Sequence, residues 1–95
     1  MPYVRISLMK PLTGKEAEVL ELNSQLVELY RKQKGCLAIH LLKGTTGSPE
    51  VGRLGLWESE GAADRAANSM RSMSLRSRLH LLVRRGHEDR SFLAD

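Results

Sequence analysis

Few side chains in this 95-residue chain have chemistry to offer: three histidines, one tryptophan, one cysteine and a set of arginines. His40 stands in the run CLAIHLLK and shares a side with Cys36, Ala38 and Leu42 in the two-residue period of a strand. An imidazole there is either a hydrogen-bonded, inert strand residue or a general base suited to taking a proton from a phenol. His80 falls on a helix flank beside Arg76 and Arg84 and reads as solvated. His87 follows Gly86 in a turn and reads as bland. The three histidines have no local metal-ligand spacing, and a single cysteine excludes both an internal disulfide and a cysteine zinc cluster, so no metal is expected. Cys36, with Lys34 nearby but no base adjacent in sequence, reads as structural.

Trp57 closes the strand VGRLGLWE on the side of Val51 and Arg53. It is expected to plug the corner where strand gives way to helix, with its indole N–H on a carbonyl; the alternative is a face for a flat ligand. Asn23 is the odd residue of an apolar helical stripe, close to Val19, Leu26 and Tyr30. A buried amide without partners costs about 1–3 kcal/mol, so it either bonds the sheet or lines a pocket. Asn68 suits the C-terminal end of an alanine-rich helix. Met70 and Met73, in the link NSMRSMS, either fill core or give soft walls to a pocket for a flat apolar ligand.

The elements that must position these residues follow from periodicity. Residues 3–9 alternate as a strand, with Val4, Ile6 and Leu8 on one side and Tyr3, Arg5, Ser7 and Met9 on the other. The stretch TGKE reads as a capping box, Thr13 with Glu16, opening a helix that runs to about Lys34. Its residues Val19, Leu20, Leu22, Leu26, Val27, Leu29 and Tyr30 cover about half the cylinder, and Gly35 is placed to end it. Residues 36–43 are apolar on both sides, which predicts a central or doubly covered strand. GTTGSP is a turn, and residues 51–58 form the hairpin partner. Ser59 caps a short helix over 60–68. Ser72 or Ser74 starts another, carrying Leu75, Leu79, Leu82 and Val83 and closed by Arg84, Arg85 and Gly86. Residues 88–94 supply a last strand. Strand, helix, strand, strand, helix, strand predicts a single α+β domain over residues 1–95, a ferredoxin-like two-layer sandwich with an antiparallel sheet. The second sheet face then carries Leu, Ile and Val outward, and a second copy of the chain is the simplest cover.

At 41% hydrophobic and 27% charged residues the chain reads as an ordinary globular domain, and with aromatics at 4% its core must be aliphatic. The N-terminal MPYVRISLMK is too polar for a secretory segment and no apolar run approaches 18 residues, so a cytoplasmic protein with no membrane partner is expected. Much of the net charge of +4 lies in residues 65–87, which hold six arginines and no acid. On a helical projection these spread round the solvated sides. Without interleaved aromatics or a Gly-x-x-Gly clamp, nucleic acid is not expected as a partner. A solvated face is the expectation, and an anionic small ligand the alternative.

The turn PLTGKEAEVLELN, the KGCLAIHLL entering the second strand, LWES before the alanine-rich helix, LRSRLHLL and the strand after GHEDR together resemble the antibiotic biosynthesis monooxygenase domain, over about residues 3–94. The resemblance implies a homodimer, a dimeric α+β barrel, with a pocket in each subunit between sheet and helices. It implies cofactor-independent oxygen insertion into a small aromatic phenol or quinol, with no metal or flavin. The haem-degrading branch of the family uses a first-strand Asn, a second Trp and a His; here Arg5 and Ser7 occupy the strand and Ala66 stands at the second Trp. The phenol-oxidising branch uses an Asn, a Trp and a Tyr, of which Trp57 and Asn68 have counterparts. On this reading His40 is the base, Arg5 or Arg53 stabilises the anion, and Trp57, Asn68, Asn23, Met70 and Met73 meet the substrate. The alternative is a non-catalytic dimeric module that binds a small hydrophobic or anionic metabolite.

Overall fold

A computed structural model describes residues 1–95. The elements are β1 (Tyr3–Met9), α1 (Glu16–Arg31), β2 (Cys36–Lys43), β3 (Val51–Trp57), α2 (Glu60–Ala67), α3 (Met70–His80) and β4 (Glu88–Leu93). The four strands form one antiparallel sheet in the order β2-β3-β1-β4, and the helices cover one face. This is the ferredoxin-like sandwich that the element order predicts.

The alternation in β1 and β3 sets the two faces. Tyr3, Arg5, Ser7 and Met9 lie opposite Trp57, Gly55, Arg53 and Val51 and point under the helices. Val4, Ile6 and Leu8, with Leu54 and Leu56, stay half-buried on the uncovered face. The core joins the α1 stripe to Leu75 and Leu79 of α3 and to Ala62, Ala63 and Ala66 of α2. Those alanines let α2 sit close to the sheet. β2 is an edge strand, not a central one. It is apolar on both sides because Ile39 packs under α1 while Ala38 and Leu42 belong to the uncovered face.

Helix ends differ from expectation where the backbone turns. The capping box does not form: α1 begins after Lys15, because Gly14 at φ +86° turns the chain there, and Glu16 reaches back to the Gly14 N–H at 3.0 Å. Ser59 caps α2 as expected, accepting from the Ala62 N–H at 3.1 Å. Ser69, rather than Ser72 or Ser74, caps α3, while Ser72 is buried with its hydroxyl 2.6 Å from that of Tyr30. α3 stops at His80 because the following chain runs beside residues 10–12, with Leu12 N–H donating to the Leu82 carbonyl and Arg84 N–H to that of Lys10, each at 2.8 Å.

Gly35 lies between α1 and β2 at φ +90°, and its carbonyl accepts from the Glu58 N–H at 2.8 Å. A Cβ there stands 2.6 Å from that of Ala62. Left-handed strain and overpacking act together, so Gly35→Ala is expected to cost about 2–4 kcal/mol in urea unfolding followed by circular dichroism.

Candidate functional site

α1 packs over β2 and β3 and leaves β1 and β4 without a long helix against them. Between that half of the sheet, the end of α2 and α3 lies a cavity of about 320 Å³. Arg5, Ser7 and Arg53 reach it from the sheet, Arg76 and His80 from α3, and His87 and Asp89 from the last turn and β4.

Arg53 is only 8% exposed. It donates to the side-chain carbonyl of the fully buried Asn23, whose amide donates to the Val19 carbonyl at 2.9 Å. No carboxylate lies within ion-pair distance of Arg53. Burial pulls its guanidinium below the ordinary arginine range. Tyr30 and Asp89 oppose that shift, and Arg76 adds to it. Arg76 donates to the Ala67 carbonyl at 2.9 Å, while its Nε–H is shut away from water with no partner. Arg5 is different. Burial acts to lower it, but its hydrogen bonds to Asp64 at 2.8 Å and to the Tyr3 hydroxyl at 2.9 Å outweigh that and hold it above the ordinary range.

On the same sheet face, one strand beyond Ser7, Asp89 is held twice. Ser7 Oγ donates to one oxygen at 2.7 Å, and His87 Nε2 lies 3.3 Å from the other. His80 meets His87 edge to face, with ring centroids 4.8 Å apart. A carboxylate on Nε2 fixes the ring and leaves Nδ1 to take a proton. The cavity therefore sets an imidazole beside a carboxylate in the company of guanidinium groups, which suits removal of a proton from a ligand and stabilisation of the resulting anion. No three His, Cys, Asp or Glu side chains converge as a metal site.

Of the residues singled out in the sequence, Arg5 and Arg53 come together in the cavity wall and Asn23 stands directly behind Arg53. His40 does not join them: it pairs with Leu54 on the uncovered sheet face, is exposed, and has the whole sheet between it and the cavity. Trp57 is buried over Gly55, edge to face with Tyr30 at 5.9 Å, and walls a recess of about 30 Å³ beside the main cavity. Asn68 is the exposed C-cap of α2. Met70 and Met73 are 89% and 51% exposed, because a helix starting at Met70 turns Ser72, Leu75 and Leu79 inward instead. Arg76 carried a signal in the sequence, since it falls within that same inward stripe. His87 and Asp89 carried none, because only the pairing of β4 with β1 brings them to Ser7.

A ferredoxin-like α+β domain with a charged cavity between sheet and helices is the class this geometry defines. The chain belongs to the antibiotic biosynthesis monooxygenase family, whose model matches residues 2–72. The Mycobacterium tuberculosis protein Rv0793 has a similar structure, with a TM-score of 0.91 at 17% identity over 99% of this chain and 95% of that one. SnoaB, a cofactor-independent oxygenase from Streptomyces nogalater, superposes with a TM-score of 0.83 at 17% identity over 99% and 93% of the two chains. A putative antibiotic biosynthesis monooxygenase from Nitrosomonas europaea gives 0.88 at 12% identity over 96% and 88%. At these identities the likeness establishes a shared fold. No curated protein matches the chain in sequence. No helix is long and apolar enough to cross a membrane.

Proposed function

We propose that the chain is a cofactor-independent monooxygenase that oxidises a small phenol or quinol in the cavity beneath α3. The observation that carries this reading is the His87–Asp89 pair lining the same half-open cavity as Arg53 and Arg76, in a member of this family. His87 Nδ1 takes the phenolic proton, and the guanidinium groups stabilise the phenolate. The electron-rich anion passes one electron to dioxygen, and the resulting radical pair joins through a carbon–oxygen bond as a hydroperoxide. Loss of water from the hydroperoxide gives the quinone. The substrate supplies all four electrons, one oxygen atom enters the product, and the other leaves as water. His87 thus replaces His40 in the role of base, and of Arg5 and Arg53 it is Arg53 that stabilises the anion, because Arg5 is already paired with Asp64.

A homodimer belongs to the same proposal, supported by Val4, Ile6, Leu8, Leu54, Leu56 and the 45% exposed Phe92 on the uncovered face. So does the cytoplasmic setting expected from the sequence. The second reading is a non-catalytic module for an anionic metabolite, favoured by the four arginines at the cavity. An oxygen electrode separates the two. Dihydroxynaphthalene or anthrone, with isotopically labelled dioxygen, is expected to give enzyme-dependent uptake and one labelled atom per quinone. Uptake no faster than in buffer across a panel of phenols and quinols removes the oxygenase and leaves the binding module.

A further inference from the structure

The charge of the cavity is not balanced within the protein, and the imbalance can be traced to two side chains. Four arginines line it against one carboxylate, Asp89. Arg5 is neutralised by Asp64 outside the cavity, and Arg90 stacks its guanidinium over the Phe92 ring at 5.2 Å. Asp89 is engaged by Ser7 and His87 and lies beyond ion-pair distance of any arginine. Arg53 and Arg76 remain, close enough to repel one another, and their only acceptors are the neutral carbonyls of Asn23 and Ala67. A buried guanidinium at Arg53, and a half-buried one at Arg76 whose Nε–H has no partner, destabilise the empty protein when no counter-ion is present. Such a group is matched by a bound oxyanion, which a guanidinium grips through two parallel N–H donors.

We propose that the molecule held in this cavity carries an oxyanion group, a carboxylate or a phosphate monoester, seated on Arg53 and Arg76. The volume of about 320 Å³ limits the rest of the ligand to one or two rings. With the oxyanion seated on these arginines, a phenol next to it on the same ring lies within the cavity that His87 lines, and the same guanidinium groups stabilise its phenolate. The inference rests on the oxygenase reading for the identity of the cavity as the substrate site, but binding alone reads it.

The test is calorimetric titration of the whole chain with naphthol, hydroxynaphthoate and naphthyl phosphate, each also tried on oxygen uptake. At least one of the two anions is expected to bind tenfold or more tightly than naphthol. Tighter hydroxynaphthoate assigns the carboxylate, and tighter naphthyl phosphate assigns the phosphate. Arg53→Met and Arg76→Met are each expected to erase that preference. Arg76→Met carries the test if Arg53→Met does not fold, because Arg76 supports no other side chain. Naphthol binding as tightly as both anions, or a preference that survives in Arg76→Met, overturns the inference. Anion binding with no oxygen uptake from any phenol or quinol of the panel leaves it standing and removes the oxygenase. Oxygen uptake with neutral phenols and no preference for charge does the reverse.

Discussion

Asn23→Leu is expected to destabilise the chain by about 2–4 kcal/mol, because it leaves a buried guanidinium with no acceptor. Leucine fills a similar volume on the apolar stripe of α1, so the loss does not come from a cavity. It comes from Arg53, which is 8% exposed and has Asn23 as its only protein acceptor. A chain of this size has a total stability of about 5–14 kcal/mol, so the substitution removes a large part of it. The melting temperature is expected to fall on the order of 15 °C. The double variant Asn23→Leu with Arg53→Met removes both partners and is expected to recover most of the loss, with a coupling energy of about 1–3 kcal/mol. Thermal unfolding of the four proteins in the cycle measures this directly. A single variant that loses less than about 1 kcal/mol means that Arg53 finds another acceptor.

The second large effect concerns turnover. With a phenol or quinol that the protein oxidises, His87→Gln is expected to lower kcat by about 10²–10⁴-fold, the range lost with a positioned general base. KM should change little, because glutamine keeps the size and polarity of the wall. Asp89→Asn is expected to fall in the same direction by a smaller factor, since it loosens the ring without removing it. His40→Ala is expected to leave kcat unchanged, because the sheet separates that imidazole from the cavity. Steady-state oxygen uptake by the three variants decides the matter. A His40 variant that loses activity while His87→Gln retains it would return the base to the uncovered face.

How much of this was legible in the sequence depended on whether the signal was local. The alternation of YVRISLM placed Arg5 and Ser7 on one face. The hairpin reading of 36–58 set the strand of Arg53 beside residues 36–43, and the ferredoxin-like order sets its other edge along β1, where Arg53 pairs with Ser7. Asn23 stood out because one amide interrupts an apolar stripe, and its bond to Arg53 is the partner such a residue must find. The short-range signals at Ser59 and Gly35 also held. His40 shows the limit of the same logic. A two-residue period assigns it a side but does not say which side faces the helices, and in β2 both sides are apolar. The start of α3 was misplaced because three serines precede Leu75, and each is a competent cap. A helix that begins at Met70 turns Met70 and Met73 out of the interior, while Arg76 follows the inward stripe of Ser72, Leu75 and Leu79. His87 and Asp89 lie more than 75 residues from Ser7 in sequence, so nothing near them marks the contact.

The position of β4 has a consequence for how the cavity behaves in time. This strand is exposed along its whole length and is bonded to the sheet along β1 alone. Strands of that kind detach at a lower free energy than the core and exchange their amide hydrogens sooner. Detachment carries away His87 and Asp89, while Arg53 stays fixed to Asn23 in the interior. The two groups of cavity residues are therefore expected to open in different cooperative units. Amide exchange is expected to expose the His87 and Asp89 segment first and the backbone of Arg53 only with the whole domain.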